Sequence, residues 1–244
     1  MKLFLKILGL EFLIILFFTV NGAYVTFTNP SNVFLQYVGL VPLAVGVYFY
    51  LLKTKKWSAY FHKDKLIPLK STLLSSPLLL ILALLLIGNN GIDTSSISRL
   101  LMIIGTQIIV VAFIEEFFFR GFMLEILKAK GFKLAVLVSS LLFAITHSLQ
   151  LLGGQSLEAT ILQITYAFII GIVLSLLIVN RQSIVVTIVF HGLNNSIIML
   201  GQNNDSAFYN YIIIVLLFIY AVFLWLRALK VNKFNTFKDS EISI

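Results

Sequence analysis

Residues 100–130 read LLMIIGTQIIVVAFIEEFFFRGFMLEILKAK. Leu100–Phe119 is apolar and long enough to cross a bilayer, whose hydrocarbon core is about 30 Å thick against a helical rise of 1.5 Å per residue. Yet Glu115 and Glu116 lie inside it and Arg120 follows one turn later. An ionisable group in hydrocarbon costs roughly 3 kcal/mol or more, so such residues are rare there and usually functional. Two other apolar stretches carry the same kind of exception: Phe143-Ala-Ile-Thr-His147 and His191-Gly-Leu-Asn-Asn195.

Working outward, the whole chain has the composition of a membrane protein. Of its 244 residues, 59% are hydrophobic and 11% charged, with a mean hydropathy of +1.01. A soluble domain carries about 25% charged residues. The apolar runs are continuous and do not alternate, which excludes a transmembrane β-barrel and predicts an all-α polytopic protein. The absence of cysteine excludes disulfides, thiolate catalysis and cysteine-ligated metals.

Eight spans are predicted, near Ile7–Phe27, Val33–Leu52, Ser71–Gly88, Leu100–Phe119 (continuing as helix to about Lys128), Leu134–Leu152, Ala159–Val179, Ser183–Leu200 and Phe208–Leu226. They form one integral membrane domain, 1–244. With the N-terminus inside, every one of the 18 basic residues except Arg99 falls on or toward the inner side. The opposite loops, Asn89–Ser98, Gly153–Glu158 and Gly201–Ser206, are polar and nearly free of positive charge. This is the positive-inside pattern, and it predicts a multi-pass cell-membrane protein with both termini cytoplasmic. The net charge of +8 is then a topology signal, with membrane lipid rather than nucleic acid as its partner. Lys53–Lys70 also holds Trp57, Tyr60, Phe61 and His62, which suits an interfacial helix or a plain cytoplasmic loop. Met1–Ala23 has a basic start, but Glu11 interrupts its apolar stretch and further spans follow, so a span is expected there rather than a cleaved signal.

Glu116 and Arg120, four residues apart, share a helix face in the favourable order for an ion pair. They are expected to support the site as a scaffold. Glu115 is turned about 100° away and is left over to face a cavity as a general base. His191 and Asn195 share a face on another helix, with Asn194 a weaker candidate, and Gly192 offers room for a close helix approach. Measured from Lys128, Lys133 and Arg181, the residues Glu115, His147 and His191 lie roughly 20, 21 and 15 Å from the cytoplasmic boundary. A single polar site between the fourth, fifth and seventh spans accounts for all three. It is expected to open toward the cytoplasm or the inner leaflet.

Two hydrolytic chemistries fit these residue types. In one, Glu115 and His147 polarise a water while His191 and Asn195 stabilise an oxyanion. In the other, Glu115, His147 and His191 ligate a zinc ion that activates the water. A non-enzymatic immunity or regulatory protein, and a transporter, are competing classes.

The ordered trio EExxxR, FxxxH and HxxxN resembles the CPBP or Abi family of intramembrane proteases, which includes type II CAAX prenyl endopeptidases and bacteriocin-processing or immunity proteins. It is carried here by Glu115-Glu116-Phe-Phe-Phe-Arg120, Phe143-Ala-Ile-Thr-His147 and His191-Gly-Leu-Asn-Asn195. The resemblance covers about 105–200, the expected catalytic core. It implies that Glu115 and His147 activate water, that His191 and Asn195 form the oxyanion side, and that no metal is required. It also implies that Glu116, Arg120 and Phe143 support the site. The implied substrate is a peptide or membrane protein.

Overall fold

The computed structural model describes residues 2–56, 60, 73–202 and 207–241. Most of the aromatic–basic stretch Lys53–Lys70 lies outside the described residues. The protein is an all-α polytopic membrane protein. Its described helices are α1 (Lys2–Thr28), α2 (Leu35–Lys53), α3 (Leu73–Gly88), α4 (Ile97–Lys130), α5 (Phe132–Leu151), α6 (Leu157–Val179), α7 (Ile184–Leu200) and α8 (Ala207–Glu241). No strand occurs among the described residues, only an isolated bridge between Ile92 and Gly201. The described helices fall close to the positions expected from hydropathy. Six are long and apolar enough to cross a membrane, while α3 and α7 are shorter, reaching roughly 24–26 Å.

Local chemistry sets the breaks. Ser96, Ser156 and Ser183 cap α4, α6 and α7 by accepting from the amides of Arg99, Ala159 and Val185. Gly131, at φ +95°, lets the chain leave α4 and start α5 within one residue, a conformation an L side chain resists. The loop before α4 holds Arg99 against Asp93 at 2.9 Å. Hydrogen bonds from Ser95, and then the Arg99 charge, keep the Asp93 carboxyl below the usual carboxylate range.

The fourth helix forms the centre of the bundle. Ala112, Ile114, Phe117, Phe119 and Met123 are completely buried. Phe4, Leu5, Leu8 and Phe12 of α1 instead point outward, as lipid-facing residues do. Asn21 fastens α1 to α2: its Nδ2 donates to the Gln36 carbonyl at 2.9 Å and its Oδ1 accepts from the Gly39 amide at 3.0 Å. An asparagine satisfied across a helix pair in this way is membrane glue. Around the two glutamates α4 is widened into π-helical turns, at Gln107–Ala112 and again at Phe117–Met123. Such turns shift side chains off the regular α-helical register and are common at functional sites.

Gly192 brings α7 against α4. A Cβ there would lie 2.5 Å from Ile108 Cγ1 and 2.8 Å from Ile108 Cα. The second atom is backbone, so the helices themselves would have to move. Gly192→Ala is expected to destabilise the protein by about 1–3 kcal/mol, read as a lower thermal midpoint in detergent. Gly9→Ala, where nothing lies within 4 Å, is the control and should leave the midpoint unchanged or slightly raised.

Candidate active site

The three sequence motifs converge. Glu116 is fully buried and Arg120 nearly so. They pair at 3.1 Å between Oε1 and Nη1, as the four-residue spacing predicts. The same Glu116 oxygen meets His191 Nδ1 at 2.8 Å. His191 Nε2 in turn meets Glu115 Oε2 at 3.2 Å. One imidazole therefore bridges two carboxylates from neighbouring positions of α4. Because the shared Glu116 oxygen already accepts from Arg120, the His191 Nδ1 carries a proton. A second proton lies between Nε2 and Glu115, since two lone pairs would repel there.

Phe143 organises the other side. The Arg120 guanidinium carbon sits 4.0 Å from the centroid of its ring, within cation–π range. The same ring meets His147 edge-on at 4.9 Å and His191 at 5.6 Å. Its backbone carbonyl accepts from His147 Nδ1 at 2.9 Å. A carbonyl can only accept, so the proton is on Nδ1 and His147 Nε2 is a free lone pair. His147 also stands where α5 turns from α-helix into a 3₁₀ turn, at the end of the span.

Asn195 belongs to a directional chain of hydrogen bonds. The Tyr166 hydroxyl donates to Asn194 Oδ1 at 2.5 Å, and Asn194 Nδ2 donates to Asn195 Oδ1 at 3.4 Å. Asn195 Nδ2 donates to Gln107 Oε1 at 3.1 Å. Gln107 stands near Tyr37, whose hydroxyl reaches Met199 Sδ at 3.3 Å. Reversing the Asn195 amide would set oxygen against oxygen and nitrogen against nitrogen at its two neighbours. The chain thus fixes which end is the donor and leaves one Asn195 N–H uncommitted.

Glu115, His147, Asn195 and Gln107 line a cavity of about 560 Å³. His191 does not form part of its wall. Both its nitrogens are occupied by carboxylates, and it reaches the cavity only through Glu115, which differs from the expected four-residue lining. Gln107, Tyr37 and Tyr166 were not singled out from the sequence. An amide within an apolar run was a usable signal for Gln107; Tyr37 and Tyr166 join through tertiary contact alone. The exposed part of the cavity lining includes Thr26 and Phe27 of α1 and Gln150 and Gly153 after α5. These lie at the helix ends remote from Lys128, Lys130 and Lys133.

The donors suited to a metal on this cavity are Glu115 and the His147 Nε2. Among the described residues, no three His, Cys, Asp or Glu side chains are disposed to hold a metal ion. The third member of the expected zinc set, His191, is turned onto the two carboxylates.

Residues 97–197 match the family model described as type II CAAX prenyl endopeptidase, Rce1-like. The match spans less than half of the chain and contains all three motifs. The family is one of proteases, and the match agrees with the resemblance carried by those motifs. No curated protein and no solved structure matches the chain.

Arg120→Ala would leave Glu116 buried without its cation. A loss of about 3–5 kcal/mol is expected, seen as reduced accumulation and early unfolding of the purified protein. Glu115→Gln, at the cavity wall, is expected to accumulate near the wild-type level.

Proposed function

We propose that the Rce1-like segment makes this chain an intramembrane endopeptidase that hydrolyses a peptide bond with water activated by Glu115 and His147. The observation that carries the reading is their shared cavity, in which a carboxylate and an imidazole stand together inside a helix bundle. The water oxygen attacks the scissile carbonyl carbon while its proton passes to this pair. The oxyanion takes the remaining N–H of Asn195, whose direction Gln107 and Asn194 hold in advance. The proton then goes to the leaving amine as the C–N bond breaks.

His191 takes a different role from the oxyanion donor first expected. Its ring holds Glu115 through Nε2 and Glu116 through Nδ1, so it is a positioning residue for the base. Asn195 is then the principal oxyanion donor. This division uses every motif residue without a metal, whereas a zinc set would require His191 to release Glu115. Zinc chemistry would leave no separate base, since Glu116 is held by Arg120 and His191.

Comparing membrane peptidomes of cells carrying wild-type and Glu115→Ala protein tests the activity. Peptide products are expected to vanish in the variant while the protein still accumulates. A non-enzymatic immunity protein on the same fold would instead keep its biological effect in Glu115→Ala. Purified protein stripped of divalent metals is expected to retain cleavage of the same products. Loss on stripping with recovery on stoichiometric zinc would replace this mechanism by the metal one. Gln107→Leu removes the acceptor that aligns Asn195 and is expected to lower kcat about 10–100-fold with little change in KM, as befits a group acting on the transition state.

A further inference from the structure

Two independent observations bear on how the site is reached. The basic residues of α4 and α5 mark one end of those helices: Lys128, Lys130 and Lys133. Exposed residues of the cavity lining stand at the other end, in the last turn of α1 (Thr26, Phe27) and in the Gln150–Gly153 turn. His147 and Asn195 each lie five positions before Leu152 and Leu200, the final residues of their spans by sequence, roughly 8–10 Å below that face. The depths measured from the basic side put the residues at or beyond the midplane. That is awkward for a hydrolase served from that side, and it is natural for one served from the opposite side.

The lining adds a chemical selection. Side-chain amides from Asn21, Gln107, Gln150, Gln163 and Asn195 stand in the cavity lining among mostly apolar residues. Its ionisable lining groups are Glu115, His147 and Tyr37, with no lysine or arginine among the described residues. A free C-terminal carboxylate close to the scissile bond would lie beside the Glu115 carboxyl and find no lysine or arginine in the cavity lining to hold it. An internal, uncharged peptide segment would meet groups able to bond its backbone. The volume, about 560 Å³, falls within the ordinary range for ligand pockets.

We propose that the substrate enters from the face opposite the basic loops, the extracytoplasmic side by the positive-inside pattern. It is an internal, uncharged stretch of a membrane-anchored peptide or protein, cut in the outer half of the bilayer, and not a cytoplasmic C-terminal tail. The identity of what is cut rests on the proteolytic reading above; the face of access does not.

Because the chain has no cysteine, single cysteines report without background. Thr26→Cys and Gln150→Cys stand on the exposed lining, and Lys130→Cys at the basic end. With a membrane-impermeant maleimide on intact cells, the first two are expected to be labelled and the third only after permeabilisation. The opposite pattern overturns the proposed face. A bulky maleimide on Thr26→Cys is further expected to cut Glu115-dependent peptide production at least tenfold. The new termini of those peptides are expected between uncharged residues on the extracytoplasmic side of their parent proteins. Termini clustered in cytoplasmic C-terminal tails would overturn the substrate class even if the labelling came out as expected. If no Glu115-dependent peptide appeared, the proteolytic reading would fail and the labelling alone would decide the access face.

Discussion

Everything at the centre of this molecule depends on one buried guanidinium. Arg120 is almost fully buried, with Glu116 against one of its nitrogens and the face of Phe143 beneath its carbon. A charge in such surroundings persists only with a counter-charge and a polarisable neighbour. Glu116 supplies the first and also accepts a hydrogen bond from His191 Nδ1, so the residue that neutralises Arg120 orients the imidazole that faces Glu115. Phe143 supplies the second and also anchors His147 through its carbonyl. The EExxxR and FxxxH motifs are therefore mechanically one object, in which the outer residues of the cluster inherit their positions from the buried pair.

Backbone accommodations make room for that cluster. The π-helical turns on both sides of Glu115 and Glu116 let consecutive carboxylates reach the two nitrogens of a single ring. Gly192 brings α7 to within backbone contact of α4, which places His191 between them. On the far side, Gly171 lets α6 approach, since a Cβ there would meet Ser140 Cβ at 3.1 Å and both Phe143 Cδ1 and Arg120 Nη2 at 3.3 Å. Two glycines, one on each flank, let neighbouring helices close over an arginine that would otherwise draw in water.

The proposed chemistry divides along the same lines. One half is rigid and electrostatic, comprising Arg120, Glu116, His191 and Phe143. The other half faces the cavity and is built from neutral donors and acceptors running from Tyr166 to Met199. Such a chain polarises in one direction and leaves each amide with a defined free end. A site that combines a fixed base with an aligned donor needs little rearrangement when charge develops on the substrate.

The sequence by itself determined the fold class, the position of each helix and the three motifs, because length and hydropathy suffice to specify a span and the bilayer forbids most alternatives. It also determined the Glu116–Arg120 pair, which needs only the 3.6-residue turn, and it flagged Gly192 as a point of close approach. It did not determine what His191 does. As one of two polar residues on a helix face it read as an oxyanion donor, and only the packing of α7 against the widened α4 put both its nitrogens on carboxylates. Gln107 and Tyr166 escaped for the same reason: their partners lie 88 and 28 positions away, and no periodicity links them. Which residues line the cavity was likewise decided by tertiary structure, by where α1, tied through Asn21 to α2, stands relative to the α5–α6 turn. Charge along the chain says which ends of the helices carry lysine; it holds no information about the gaps between helices, which arise only when they pack.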